Sequence, residues 1–298
     1  MQAFVSQQIL LKDIPSASGI ECLQEKLYII GDNTAYMFVL DTHKNFIARK
    51  RILPFTASAE NVIPKKQKPD FEALTALSSP YLNQLLVLGS GSQSPERDKA
   101  FLIDTENLFE EVKTYSLTGI YDFLRSLPEV AEGYRLNIEA ATVAGDKIYL
   151  FQRGNISGNN VMIRYKIPDF LDFMTGKSTK QPMPSIFAFN LPEMAGLRAG
   201  FSGACTLDEH TILFTASVED TADEIEDGAT LGSFVGLIDL RNLQKTPICL
   251  PVLCNNETFT GKIESITMIA KQNQSIEAVA VTDSDGGDSW LLELEIRL

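Results

Sequence analysis

Apolar and polar positions alternate along this chain in short runs of about five to eight residues, bounded by Gly, Asn, Asp and Pro, a pattern that predicts strands for most of its length. The clearest instance is LNIEAATVAGDKIYLFQRGNISGNNVMIRY, residues 136–165. It reads as a strand bearing a glutamate, a turn, an apolar strand, a Gly/Asn loop and another strand, and SIFAFNL around Ile186 adds a fourth. The same order recurs. SGIECL opens a unit with further strands at 26–30, 36–41 and 46–53, and DFEALTAL at Asp70 opens one continued by QLLVLGSGS, KAFLIDT and FEEVKTYSL. FSGACTL at Phe201 leads into TILFTASVE, SFVGLIDL and a strand around Ile248, while the last unit, KIESITMIA, IEAVAVTD and SWLLELEIRL, has only three strands.

A four-stranded unit repeated head to tail predicts an all-β fold, a single β-propeller domain over residues 1–298 with five four-stranded blades. A sixth blade would need a unit that the pattern does not display. Because the last unit lacks a strand, the apolar alternation of residues 3–11 is expected to pair with the strand around Leu291 to Ile296 and close the ring. Two insertions read as helical caps: Ile120, Phe123, Leu124 and Leu127 have i, i+3, i+4, i+7 spacing, and residues 169–174 follow Pro168. Trp290 is expected to pack between blades.

Composition narrows the partners. With 26 Lys+Arg against 39 Asp+Glu the net charge is −13 at pH 7, which opposes sequence-independent binding to nucleic acid or to an anionic membrane. The first residues, MQAFVSQQILLKDI, carry neither a basic segment nor a continuous apolar one, so a cytoplasmic location is expected. The four cysteines show no CxxC spacing and read as buried free thiols. Oligomeric state is not legible in the pattern.

Several phrases are distinctive: KPDFEAL (68–74), LGSGS (88–92), NIEAA with FQRGN (137–141 and 151–155), and FTASVEDTADEIEDGATLGSFVG (214–236). Together they resemble an uncharacterised bacterial β-propeller family, a domain of unknown function, over nearly the whole chain. More distantly the blade pattern is similar to esterase-like phytase domains and to lactonase-type six-bladed propellers. Those relatives include metal-dependent hydrolases, but no active-site motif matches position by position, so the resemblance implies a fold and no catalytic residue.

The register of the blades suggests where a site would lie. The first strand of a blade lines the central channel, and its start shares a face with the loop between the second and third strands. Glu21, Glu72, Glu139 and Glu264 stand at four such starts, with Ser202 at the fifth. Asp32, Ser90, Arg153, Ser217 and Asp283 end the second strands at the same mouth. Long connections at 54–70, 118–136 and 217–232 emerge there as well.

Clustered glutamates raise one another's pKa unless a counter-charge is present. In one reading Ca²⁺ or Mg²⁺ is held by Glu21, Glu72, Glu139 and Glu264 with help from Asp32 or Asp283. In another, Arg153, Arg97 and Lys68 pair with the glutamates and leave a pocket for a small polar molecule or a partner's peptide. In a third, each glutamate accepts backbone N–H bonds beside channel water. His43 and His210 fall in turns on the opposite face and no GxSxG occurs, which argues against a Ser-His-Asp triad at this mouth. Asp220, Asp223, Glu224, Glu226 and Asp227 read as a solvated acidic loop. Binding is the favoured function, with metal-assisted hydrolysis of a phosphoester, ester or lactone as the alternative.

Overall fold

In the computed structural model the apolar runs form strands, and successive strands pair antiparallel into sheets. The structure describes residues 2–53, 63, 67–77, 80–81, 83–108, 110–131, 133–154, 159–220, 228–283 and 289–298. Asp223, Glu224, Glu226 and Asp227, and most of the 54–70 connection, lie outside them. The first sheet comprises Ala17–Leu23, Lys26–Gly31, Tyr36–Asp41 and Phe46–Arg51, and the second Phe71–Ala76, Gln84–Gly89, Lys99–Asp104 and Lys113–Ser116. Ile138–Ala144, Lys147–Gln152, Val161–Lys166 and Ser185–Ala188 make the third, and Gly200–Asp208, Thr211–Asp220, Ala229–Asp239 and Ile248–Cys254 the fourth. In the fifth, Ile263–Gln272, Ser275–Thr282 and Ser289–Arg297 are joined by the N-terminal strand Gln2–Leu11.

The N-terminal strand runs antiparallel to Ser289–Arg297 from Gln2 opposite Arg297 to Leu11 opposite Ser289, with a register shift between Val5 and Gln7. On its other edge Ala3 and Phe4 lie parallel to Val252 and Leu253 of the fourth sheet. The first strands of the sheets neighbour one another in cyclic order, and that of the fifth returns to that of the first. The fold is a β-propeller.

Side chains above and below each sheet interlock with those of the next, because residues alternate faces along a strand. Phe71 meets Phe101 edge to face at 5.1 Å in the core between the first and second sheets. Phe201 sits between Phe151 and Phe214 at 5.1 and 5.2 Å in the core between the third and fourth. Leu11, Ile20 and Ile29 pack on Val281 and Leu291, joining the last sheet to the first.

Helices cover the interface of the second and third sheets. Thr118–Arg125 buries Ile120, Tyr121 and Leu124, and Ile167–Met174 buries Phe170, Leu171 and Met174, each on its apolar stripe. Pro168 is accommodated because the first turn of a helix has no intrahelical partner for the N–H that proline lacks. Trp290 departs from expectation: it is 37% exposed rather than packed between sheets. Ser289 and Leu291 on either side are buried, so strand alternation turns Trp290 outward.

Candidate functional site

One backbone feature builds the channel mouth. In each of these five four-stranded sets the first strand slips register against the second near its start, between Ala17 and Gly19, Phe71 and Ala73, Ile138 and Ala140, Phe201 and Gly203, and Ile263 and Ser265. A bulge leaves one residue unpaired and re-aims its side chain. The five residues so presented are Ser18, Glu72, Glu139, Ser202 and Glu264. Glu21 is therefore not a member of this ring, and the four-glutamate metal set expected from sequence does not converge. The equivalent position is Ser18, whose hydroxyl donates to the Phe71 carbonyl. Glu21 stands three residues further along the strand, toward the other end of the channel.

Around Glu72 the structure gathers Asp32, Lys68, Asp70 and Arg97. Lys68 bridges Asp32 and Asp70, its Nζ lying 2.9 Å from Asp70 Oδ1. Arg97 pairs with Asp70 and donates to Ser92 Oγ at 2.6 Å, while Ser90 Oγ donates to Asp70 Oδ2 at 2.6 Å. Across the channel, Arg153 Nη2 lies 3.0 Å from Glu219 Oε2 and its Nη1 3.7 Å from Glu139 Oε2. Lys262 Nζ is 3.0 Å from both Glu219 Oε1 and Glu264 Oε1. Gly200 makes room for this arrangement, since a Cβ there would come within 2.7 Å of the Arg153 stem. Asp283 follows the strand Ser275–Thr282 and is half-buried, at the same end. Where the other strands carry glutamate, the fourth sheet carries Ser202, bonded to Thr215 at 3.1 Å within a buried hydroxyl network.

Three of these charged groups escaped the sequence reading: Asp70, Glu219 and Lys262. Asp70 and Lys262 stand two residues before Glu72 and Glu264, just ahead of the strands that begin at Phe71 and Ile263, a shared offset that the sequence displays. Glu219 stands two residues beyond Ser217, on a strand that runs further than the others to Asp220.

The electrostatics follow from burial. Burial raises Glu72 well above the ordinary carboxyl range, and Asp70 and Glu139 add to the effect. Burial pushes Glu264 up to about 8 against the pull of Lys262, and raises Glu139 against Arg153. Asp32 is raised by burial although Lys68 opposes it. Glu219 goes the other way: burial disfavours its charge, but Arg153 and Lys262 overcome that and hold it below the usual value. Among the described residues, Asp32, Asp70, Glu72, Glu139, Glu219 and Glu264 thus face Lys68, Arg97, Arg153 and Lys262. Among the described residues no hydrogen bond or ion pair reaches Glu72, and the carboxylates of Asp32, Asp70 and Glu72 offer ligand atoms within 4.8 Å of one another.

Glu21 has different surroundings. Its carboxyl accepts from the Cys22 N–H at 3.0 Å, the Ala76 N–H at 3.1 Å and the Thr267 hydroxyl at 3.2 Å. Burial outweighs these donors and pushes it up to about 7 from 4.5. The native state then holds a proton that the unfolded chain releases near pH 4.5, so this group's contribution to stability falls as pH rises from 4.5 to 7. The difference in unfolding free energy between wild type and Glu21→Gln, measured by denaturant titration, is expected to decline across that window by on the order of 3 kcal/mol. A flat difference would show that Glu21 is ionised in the fold at acid pH.

A protein-family model described as "Family of unknown function (DUF6929)" matches residues 13–296. No curated protein matches significantly. The chain is similar to a solved structure described as a "Putative exported protein" from Bacteroides fragilis NCTC 9343, with 10% identity, 99% of each chain covered and a TM-score of 0.40. It is also similar to the Cps50 (Swd1) β-propeller domain of Myceliophteria thermophila, with 10% identity, 99% of this chain and 75% of that one covered, and a TM-score of 0.36. A third is a calcium-binding protein, regucalcin, from Agrobacterium tumefaciens str. C58, with 12% identity, 99% and 95% covered, and a TM-score of 0.46. The cytoplasmic location expected from the first residues is not supported, and none is assigned. Among the described residues no helix is long and apolar enough to cross a membrane.

Proposed function

This chain belongs to the family of unknown function DUF6929, and from that premise we propose a binding protein: a five-bladed ring, closed by its N-terminal strand, whose channel mouth takes a small zwitterionic or peptide-like ligand. The cyclic order of the first strands and the core joining the fifth sheet to the first support the ring. The pairing of Gln2–Leu11 with Ser289–Arg297 supports its closure.

The observation that supports the ligand reading is the mismatch at the mouth, where among the described residues six buried or half-buried carboxyls meet four cations and no cation stands within ion-pair distance of Glu72. A ligand ammonium beside Glu72 would supply the missing charge. Lys68, Arg97 and Lys262, whose side chains keep 14, 13 and 19% of their surface exposed, stand ready for a carboxylate on the same ligand. Rigid strands hold these groups, so little ordering accompanies binding.

The test is a thermal-shift panel of free amino acids and dipeptides beside their acetylated and amidated forms. A fitting ligand at about 100 times its Kd should raise the melting temperature by about 5 °C, and blocking either terminus, or changing Glu72→Gln or Lys262→Met, should reduce the shift. A panel in which blocked and free forms behave alike would overturn the reading.

A second reading rests on the approach of Asp32, Asp70 and Glu72. These three residues suit Ca²⁺ or Mg²⁺, which favour carboxylate oxygens, and a cation there would activate water for metal-assisted hydrolysis. Divalent ion retained through gentle purification, with melting lowered by chelator, favours this reading. Metal-free protein whose melting ignores chelator favours the first.

A further inference from the structure

The channel has a second polar end that the mouth cluster does not use. Four positions past the start of each register shift, the first strands present Glu21, Thr75, Thr142, Cys205 and Thr267 at one level, opposite Tyr28, Leu86, Tyr149, Leu213 and Val279. At about 3.3 Å per residue this level lies roughly 10 Å below the ring of Glu72, Glu139 and Glu264. It borders a cavity of about 200 Å³. That is far above the roughly 30 Å³ one water occupies in the liquid.

Among the described residues Glu21 is the one carboxyl in the cavity lining. Donors from its own strand, the second sheet and the fifth hold it in place, and among the described residues no cationic side chain lies within ion-pair distance of it. Opposite stand threonine hydroxyls, with Thr142 and Thr206 bonded to each other at 2.9 Å. Val143 and Met268 give the wall an apolar part. A single carboxylate among hydroxyls suits one positive charge that donates several hydrogen bonds. It does not suit a divalent metal, which takes several charged oxygens.

We propose that this cavity is a binding site for a primary ammonium with a short alkyl tail, with Glu21 as the counter-ion and the threonine hydroxyls as acceptors. The site is independent of the mouth. Its charge partner, its hydroxyl lining and its place at the far end of the channel involve none of the residues assigned there.

The test is isothermal titration of the full-length protein with n-butylammonium chloride, against tetramethylammonium chloride and potassium chloride at matched ionic strength. Titrated into Glu72→Gln, which removes the mouth's partner for an ammonium, n-butylammonium should bind one site per chain. Tetramethylammonium, which has the charge but no N–H donor, should not. Glu21→Gln should weaken binding at least tenfold. The substitution is tolerable because the Cys22 N–H already also points to Thr267 Oγ1, at 3.1 Å. Thr142→Val, which keeps the shape and removes one hydroxyl, should weaken binding severalfold with melting close to wild type. Each variant is tested in that Glu72→Gln background, so that binding at the mouth does not enter the comparison. No heat with n-butylammonium, equal responses to all three salts, or undiminished binding in Glu21→Gln would overturn the proposal. If Glu21→Gln does not fold, unchanged binding in Thr142→Val overturns it.

Discussion

A chain lacking residues 1–11 will melt at least about 10 °C below the full-length protein, or fail to accumulate in folded form. The deleted strand pairs along its whole length with Ser289–Arg297 and touches the fourth sheet through Ala3 and Phe4. Ala3 and Leu11 are buried, and Leu11 belongs to the core between the fifth and first sheets. Each apolar side chain of Leu or Val size returned to water forfeits about 1.5–3 kcal/mol. Removal also uncovers the edge of Ser289–Arg297, whose free N–H and C=O groups invite pairing with other chains. Since a whole domain is stable by only about 5–15 kcal/mol, losing this strand should be felt throughout the ring and not as local fraying. A synthetic peptide of residues 2–11 should restore part of the lost melting temperature when added to the truncated chain. Truncated protein that melts like the full chain, with no response to peptide, would show that the ring does not depend on this strand.

Replacing Arg153 with Met should destabilise the protein by about 3–5 kcal/mol, the range for removing one partner of a buried ion pair. The Arg153 side chain is 2% exposed and stands between Glu139 and Glu219. Without it Glu219 keeps Lys262, whereas Glu139 loses its nearest cation among the ion pairs described. The methionine preserves much of the packing against Gly200, so the loss would be electrostatic. Both carboxyls would then titrate higher in the folded state than in the unfolded chain. The added stability of their neutral forms is present at low pH and lost as pH rises through the carboxyl range, so the deficit of Arg153→Met should shrink toward pH 5 and reach its full size near neutrality. Adding Glu139→Gln should recover part of it, and a double-mutant cycle measures the coupling. A deficit that is independent of pH, with no coupling to Glu139, would assign Arg153 to packing alone.

The strands themselves were legible in the sequence because alternation is a local property: each run of apolar and polar residues carries its own period. The recurrence of four runs, the shortfall of one in the last unit and the matching apolar alternation at residues 3–11 needed nothing beyond the order of residues along the chain. The placing of Glu72, Glu139 and Arg153 at one end of the strands was legible for the same reason, since each stands at a fixed offset from a strand end. Tertiary structure decided what depends on a partner strand. A bulge inserts one unpaired residue, and where it falls is visible only against the neighbouring strand. SGIECL, aligned by its glutamate, therefore put Glu21 in the ring, whereas pairing aligns Ser18 there and carries Glu21 to the far end of the channel. Trp290 faces outward for a similar reason: which face of its strand is covered depends on the sheet beside it. The meeting of Arg153, Glu219 and Lys262 joins three sheets across the channel, and no spacing along the chain encodes it, because the distance between them is set by how those sheets pack against one another.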